Sequence, residues 1–167
     1  MILTKPEIEK AIKNKTITIT PFNKNNIGSS SIDLTLDNKF RIFNTNTPTI
    51  VDKSTDYKTL TEPVREKEIT LQPQETILGL TKEKISLPNN ICGWLEGRSR
   101  FARLGLMVHV SSGFVQPGVN NHQVLEISNL SPMPLTLKAG TKICQLVLQE
   151  TRGEAIYKGK FQKQTAP

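Results

Sequence analysis

Ser31-Ile32-Asp33-Leu34-Thr35-Leu36 alternates polar and apolar side chains without a break. A period of two puts Ile32, Leu34 and Leu36 on one face of an extended chain, the mark of a half-buried strand. The same grammar continues on both sides. Upstream, Thr16-Ile17-Thr18-Ile19-Thr20 alternates until Pro21 stops it. Downstream, strands are expected at Lys39 to Phe43, Glu68 to Leu71, Thr76 to Leu80 and Lys84 to Leu87. Further runs follow at Leu106 to Val110, Gln123 to Ser128, Leu135 to Leu137 and Lys142 to Leu148. Pro, Gly or Asn bound most of them. Short strands with frequent turn signals and no βαβ alternation predict an all-β sandwich or barrel.

Two segments depart from this grammar. Thr4 and Glu7 have the spacing of a capping box, with Leu3 and Ile8 placed as a hydrophobic staple and Pro6 in the first turn. Ile8, Ala11 and Ile12 then follow at helical spacing, so a short N-terminal helix is expected. A second short helix is expected at Ser99 to Leu104. Residues 44–67 are rich in Asn, Thr, Asp and Lys; they read as a long excursion with a strand around Ile50 and Val51. The polar tail from Thr151 to Pro167 is expected to be mobile unless something orders it.

Composition narrows the function classes. The chain has 167 residues, enough for one domain with a sizeable core. No apolar run approaches a membrane span. Met1-Ile2-Leu3-Thr4-Lys5-Pro6-Glu7 has no signal-peptide core, so a reducing, cytoplasmic setting is expected. Cys92 and Cys144 form no C-x-x-C pair, which disfavours structural zinc and predicts plain thiols. The net charge of +7 fits an anionic ligand, yet no basic run appears and aromatics are only 5% of the chain. That is poor material for base-stacking platforms on nucleic acid, and none is expected as a partner.

The densest chemistry lies between Trp94 and Asn129. Gly97-Arg98-Ser99-Arg100-Phe101-Ala102-Arg103 brings three arginines and a serine together. Guanidinium forks match phosphate oxygens, and Ser99 is expected to cap a short helix with Arg103 one turn on. A basic surface turn paired with local carboxylates is the plainer alternative. Glu126 stands at the centre of Gln123-Val124-Leu125-Glu126-Ile127-Ser128-Asn129, on the face of Val124 and Ser128. If that face is buried, its pKa is expected to rise and the carboxyl to shuttle protons near neutral pH. An exposed edge glutamate or a structural ion pair is the alternative. His109 reads as a packed or hydrogen-bonded strand residue and His122 as an exposed turn residue. Metal-hydrolase, P-loop, dinucleotide-binding, zinc-deaminase and serine-hydrolase templates all fail.

Glu96-Gly97-Arg98-Ser99-Arg100-Phe101-Ala102-Arg103-Leu104-Gly105-Leu106 resembles the E-G-R-S-S-x-A-R-x-G-L segment of dCTP deaminases, in the dCTP deaminase/dUTPase superfamily. Ser112 to Gly118 is similar to A-G-x-I-D-P-G, Val124-Leu125-Glu126 to V-L-E, and Ala139 to Leu146 to P-G-x-x-I-x-Q-L. The resemblance implies a mostly β, distorted antiparallel barrel, jelly-roll-like, with two short helices. Residues 1–167 would form one domain with 151–167 as a mobile lid. It also implies a homotrimer with sites between subunits, and a dCTP or dUTP type of deoxynucleotide whose phosphates carry Mg2+, with no protein metal site.

By the same resemblance Glu126 is the catalytic acid–base, helped by Ser99 and Arg103. Arg98, Ser99, Arg100 and Arg103 would hold the phosphates. Ser112, Gln116, Val124 and Leu125 would lie by the nucleoside. Lys160-Phe161-Gln162-Lys163-Gln164 is similar to K-Y-x-x-Q, so Tyr157, Lys160 and Gln164 would close the lid. Three departures stand out. Gln116 replaces the family's Asp and cannot act as a base, which argues against strong dUTP hydrolysis. Arg100 replaces a Ser, and Val119 an aromatic. A dCTP deaminase is the leading expectation. A dUTP diphosphatase, or a bifunctional enzyme yielding dUMP, and a non-enzymatic nucleotide-binding module remain as alternatives.

Overall fold

The computed structural model describes residues 1–44, 46–109, 111–162 and 164–167. Thr45 in the excursion, Val110 at the end of an expected strand and Lys163 in the tail motif lie outside the described residues.

Helix α1 spans Lys5–Lys13, with Leu3 and Ile8 buried as a staple requires. The capping box is not made. Thr4 is the N-cap but its side chain bonds nothing in the helix, and Glu7 faces Lys10 at 3.6 Å instead. Pro6 has removed one of the two N–H groups that such a cap serves.

The strands are β1 (Thr18–Thr20), β2 (Ile32–Phe43), β3 (Thr61–Arg65), β4 (Glu68–Leu71), β5 (Thr76–Ser86) and β6 (Ile91–Gly97). After helix α2 (Ser99–Ala102) come β7 (Leu106–Val108), β8 (Phe114–Val115), β9 (Asn120–Asn129), β10 (Leu135–Lys138) and β11 (Lys142–Glu150). The main sheet runs β7-β9-β5-β2-β11-β6-β8, with β1 on β5 and β3 on β2; β10 and β4 pair separately. All pairings are antiparallel, and the sheet curls around one apolar core.

Several expected boundaries moved. The pairs of short runs at 31–36 with 39–43, and 76–80 with 84–87, are single long strands carrying register shifts. Irregular residues at a bulge break the alternation without ending the strand. No strand forms at Ile50 and Val51, which are 82% and 90% exposed. β3 pairs with β2 instead, where a partner edge exists. β6 and β8 were not expected; Trp94 of β6 stacks near Phe114 of β8, ring centroids 5.3 Å apart.

Register across β2, β5 and β9 aims the functional side chains. Phe40, Gly79 and Leu125 align on the core face, while Arg41, Leu78 and Glu126 align on the other. A Cβ on Gly79 would sit 2.9 Å from Ile127 Cδ1, so the core has no room for a larger residue there. Leu125 and Ile127 are fully buried, each worth ~1.5–3 kcal/mol of burial. A one-residue slip of β9 would expose both and drive Glu126 into the core. The apolar neighbours of Glu126 therefore hold it where it is.

Candidate active site

Glu126 and His109 form the centre of the site. β7 ends at Val108, and His109 follows in the left-handed region at φ 56°, its N–H donating to the Glu126 carbonyl at 2.7 Å. This turn brings the imidazole, 8% exposed, back over β9. Nε2 lies 2.8 Å from the Ser112 carbonyl, which only accepts, so Nε2 carries a hydrogen. Nδ1 lies 2.6 Å from Oε2 of Glu126. That contact needs one proton between the two atoms. Glu126 and His109 thus share a proton at a fixed place.

The acidity of Glu126 differs from the expectation. Burial does push its pKa up and is the largest single effect, but the hydrogen bond and charge of His109 outweigh it. The net result is a carboxyl below its ordinary value, ionised at neutral pH. The expectation is conditional on burial alone and does not include the partner.

Around this pair lies a pocket of about 450 Å³. Val124, Gln116, Val119, Ser112, Leu78, Phe43 and Tyr57 line it. The C-terminal tail runs beside the pocket. His122 N–H donates to the Gln164 carbonyl at 3.1 Å, and Asn121 Nδ2 to the Phe161 carbonyl at 2.7 Å. Tyr157 is anchored through its N–H to the Pro117 carbonyl at 2.9 Å. Tyr157, Phe161 and Gln164 thereby join the lining.

A second, more open cleft holds the arginine-rich turn. Arg98, Ser99 and Arg100 line it with Ser29, Ser30 and Ser31. Arg98 is tied down: NH2 lies 3.3 Å from Asp33 Oδ2, and NH1 donates to the Lys142 carbonyl at 2.9 Å. Ser99, Arg100 and Arg103 are exposed. Ser99 does not cap α2. Arg98 holds the N-cap position and Ser99 is the first helical residue, because the extended backbone needed at a cap falls one residue earlier. Arg103 closes the turn, its N–H donating to the Ser99 carbonyl at 3.1 Å.

Residues 2–151 match a protein-family profile described as dCTP deaminase-like. The chain belongs to this family. Proteins named "dCTP deaminase, dUMP-forming" from Rhodococcus opacus and Mycolicibacterium smegmatis are each 37% identical over the whole chain, which covers 94% of either relative. A solved 2′-deoxycytidine 5′-triphosphate deaminase from Agrobacterium tumefaciens superposes on 88% of the chain, with a TM-score of 0.67 at 18% identity. The chain spans 47% of that protein's length. A dUTPase of Staphylococcus bacteriophage 80alpha superposes on 87% of it with a TM-score of 0.55 at 14% identity. These two likenesses establish the fold.

Within this dCTP deaminase-family fold, the expected residues divide. The pocket gathers Glu126, Ser112, Gln116, Val124, Tyr157 and Gln164. The cleft gathers Arg98, Ser99 and Arg100. The Leu125 side chain points into the core, as its odd place in the alternation requires. Lys160 lies outside both, its Nζ 5.8 Å from the Phe161 ring. His122 is not an exposed turn residue. It sits in β9, half-buried, with Nδ1 3.0 Å from the Thr81 carbonyl.

Sequence reasoning missed His109, Phe43 and Tyr57. His109 was read as a strand residue because nothing local announces the left-handed turn. Its scarcity, one of only two histidines, was the available signal. Phe43 and Tyr57 reach the site only through long-range strand pairing.

Proposed function

We propose that this chain catalyses hydrolytic deamination of dCTP to dUTP and ammonia. The observation that carries this reading is the Glu126–His109 pair, an ionised carboxylate sharing a proton inside a pocket of nucleoside size. Glu126 takes a proton from water as the oxygen attacks C4 of the cytosine, the C4–N3 double-bond electrons move to N3, and that proton passes to N3. Glu126 then takes the remaining hydroxyl proton and gives it to the 4-amino group, the bond from C4 to the exocyclic nitrogen breaks, and ammonia leaves as the C4 carbonyl forms. Acid–base work of this kind is worth ~10²–10⁴ in rate. His109, fixed by Ser112, holds the carboxylate's orientation and keeps it charged.

Phosphate binding falls to Arg98, Ser99, Arg100 and Arg103, with the Ser29–Ser31 hydroxyls beside them. These donors suit a nucleotide that brings its own Mg2+. Asp33, the carboxylate in this cleft, is already engaged by Arg98 and Lys142 at 3.3 and 3.9 Å. Bound there, the ion would neutralise triphosphate charge. The pocket around Glu126 includes none of the arginines from the 98–103 turn. A complete site, on this reading, joins the pocket of one copy to the cleft of another in a homotrimer. The tail from 151 to 167 acts as the lid. Free, buried Cys92 and Cys144 suit a reducing cytoplasm. Among the described residues no helix is long and apolar enough to cross a membrane.

The relatives' dUMP-forming names favour a second reading, in which dUTP is carried on to dUMP and pyrophosphate. Gln116 opposes it, because its amide offers no base to a second water. The test is incubation with dCTP and Mg2+, measuring nucleotides, ammonia and pyrophosphate. Ammonia with dUTP alone supports the deaminase. Ammonia with equimolar pyrophosphate and dUMP makes the enzyme bifunctional. No ammonia removes the proposal.

A further inference from the structure

The chain is poor in aromatic residues, with six Phe, two Tyr and one Trp. Five of these nine, Phe43, Tyr57, Phe114, Tyr157 and Phe161, line the single pocket that holds Glu126. Phe43, Phe114 and Phe161 remain 42–44% exposed there. Such a concentration of uncovered ring surface suits a flat, apolar-faced ligand. The tail supplies two of the rings. The polar excursion between β2 and β3 supplies Tyr57, from a short 3₁₀ turn at Tyr57–Thr59.

That turn is held by a buried cation. Arg41 is 9% exposed. Its Nε donates to Thr61 Oγ1 at 2.7 Å, and its NH2 to the Thr61 and Lys58 carbonyls at 2.7 and 3.0 Å. The Thr61 hydroxyl donates in turn to the Tyr57 carbonyl at 2.8 Å. The Arg41 guanidinium carbon lies 5.9 Å from the centre of the Tyr57 ring. Burying a guanidinium is costly, and these partners are all neutral oxygens. What the cation obtains is a fixed position for Tyr57.

Strand register gives that position meaning. Arg41, Leu78 and Glu126 are successive partners across β2, β5 and β9 on one face. Neighbouring strands are ~4.8 Å apart, so Arg41 and Glu126 stand roughly 10 Å apart with Leu78 between them. A base whose reacting edge meets Glu126 would extend over Leu78 toward the Arg41 end of this face, where Tyr57 joins the pocket lining.

We infer that Tyr57 is a specificity-determining wall of the pocket, contacting the base of the nucleotide and admitting one ring but not two, with Arg41 as its positioning residue. This rests on the deaminase reading above and extends it to the choice of base. Burial pushes the Tyr57 phenol above its ordinary pKa, so the wall stays uncharged.

The test compares Tyr57→Ala, Tyr57→Phe and Arg41→Lys with the wild type. Stacking on an aromatic is worth on the order of tenfold per base. Tyr57→Ala should raise the KM for dCTP by about that factor with kcat nearly unchanged, and should let dATP compete where the wild type excludes it. Tyr57→Phe should restore both properties. Arg41→Lys should raise KM in the same direction, and should add nothing in the Tyr57→Ala background. Tyr57→Leu serves if the alanine variant does not fold. Unchanged KM and unchanged exclusion of dATP in a folded variant would overturn the inference. If the wild type deaminates dCTP, that failure concerns Tyr57 alone. If it does not, calorimetric dCTP binding becomes the readout. A wild type that neither turns over nor binds dCTP ends both proposals.

Discussion

The pocket around Glu126 and the cleft around Arg98 are built on opposite principles. The pocket is wired before any ligand arrives. Glu126, His109 and Ser112 form one chain of short contacts, and the tail is hydrogen-bonded to β9 beside them. The cleft is open; Ser99 and Arg100 on its wall are exposed, as is Arg103 at the end of the same turn, while Arg98 is fixed. Proton transfer requires a defined atom at a defined place, and burial sharpens the electrostatics that set its acidity. Gripping a triphosphate needs hydrated cations that can swing onto it. The pocket and the cleft share no lining residue, and the proposed assembly unites them.

The contrast can be broken at its strongest point first. Glu126→Gln keeps the shape and removes the proton acceptor. It should lower deamination by ~10²–10⁴ while dCTP still binds. Wild-type ammonia release from that variant would end the assignment of Glu126. On the cleft side, Arg103→Ala removes charged hydrogen bonds worth about 1.5–3 kcal/mol, roughly 10–150-fold in affinity. Calorimetry should find weaker dCTP binding, and equal affinity would count against the cleft as a phosphate site.

A third variant examines how the pocket is wired. The His109 contact holds the Glu126 pKa below its ordinary value, so wild-type activity should persist on acidification and fail only below the usual carboxylate range. His109→Ala removes both lowering influences of the imidazole and leaves burial, the largest effect, opposed only by a backbone hydrogen bond. The acid limb of the pH–rate profile should therefore move upward. A limb that stays put would show that His109 does not set the charge of Glu126. The smallest effect is expected from removing residues after Gly159. Turnover should fall through a raised KM while thermal stability barely changes, since the tail's bonds to β9 are few. A fully active truncated enzyme would refute the lid.

How much of this was legible beforehand depended on range. Period-two alternation exposed Ile32, Leu34 and Leu36, and it placed Glu126 opposite Leu125 and Ile127, because local geometry alone decides those faces. The arginine turn was legible for the same reason. Alternation fails at bulges, so β2 and β5 each read as two strands. Ile91 to Gly97 escaped because it is not alternating: Gly93 and its neighbours are buried on both sides. The acidity of Glu126 was misjudged because His109, seventeen positions earlier in the sequence, reaches it only through a left-handed turn. Tyr57 depends on Arg41, Lys58 and Thr61 meeting in three dimensions.

The most direct test of the central claim, that proton transfer and phosphate grip come from different copies of the chain, mixes two disabled variants. Glu126→Gln and Arg103→Ala proteins are unfolded together, refolded at equal concentration, and assayed for ammonia at dCTP well below the wild-type KM, where weak binding disables the Arg103→Ala sites. Each sort of chain retains the half-site that the other lacks. Random assembly should restore about a quarter of the wild-type sites, and ammonia release should rise accordingly above either variant alone. A mixture no more active than its components, when wild-type protein refolded by the same route regains full activity, would contradict this claim and place both halves of each site within one chain.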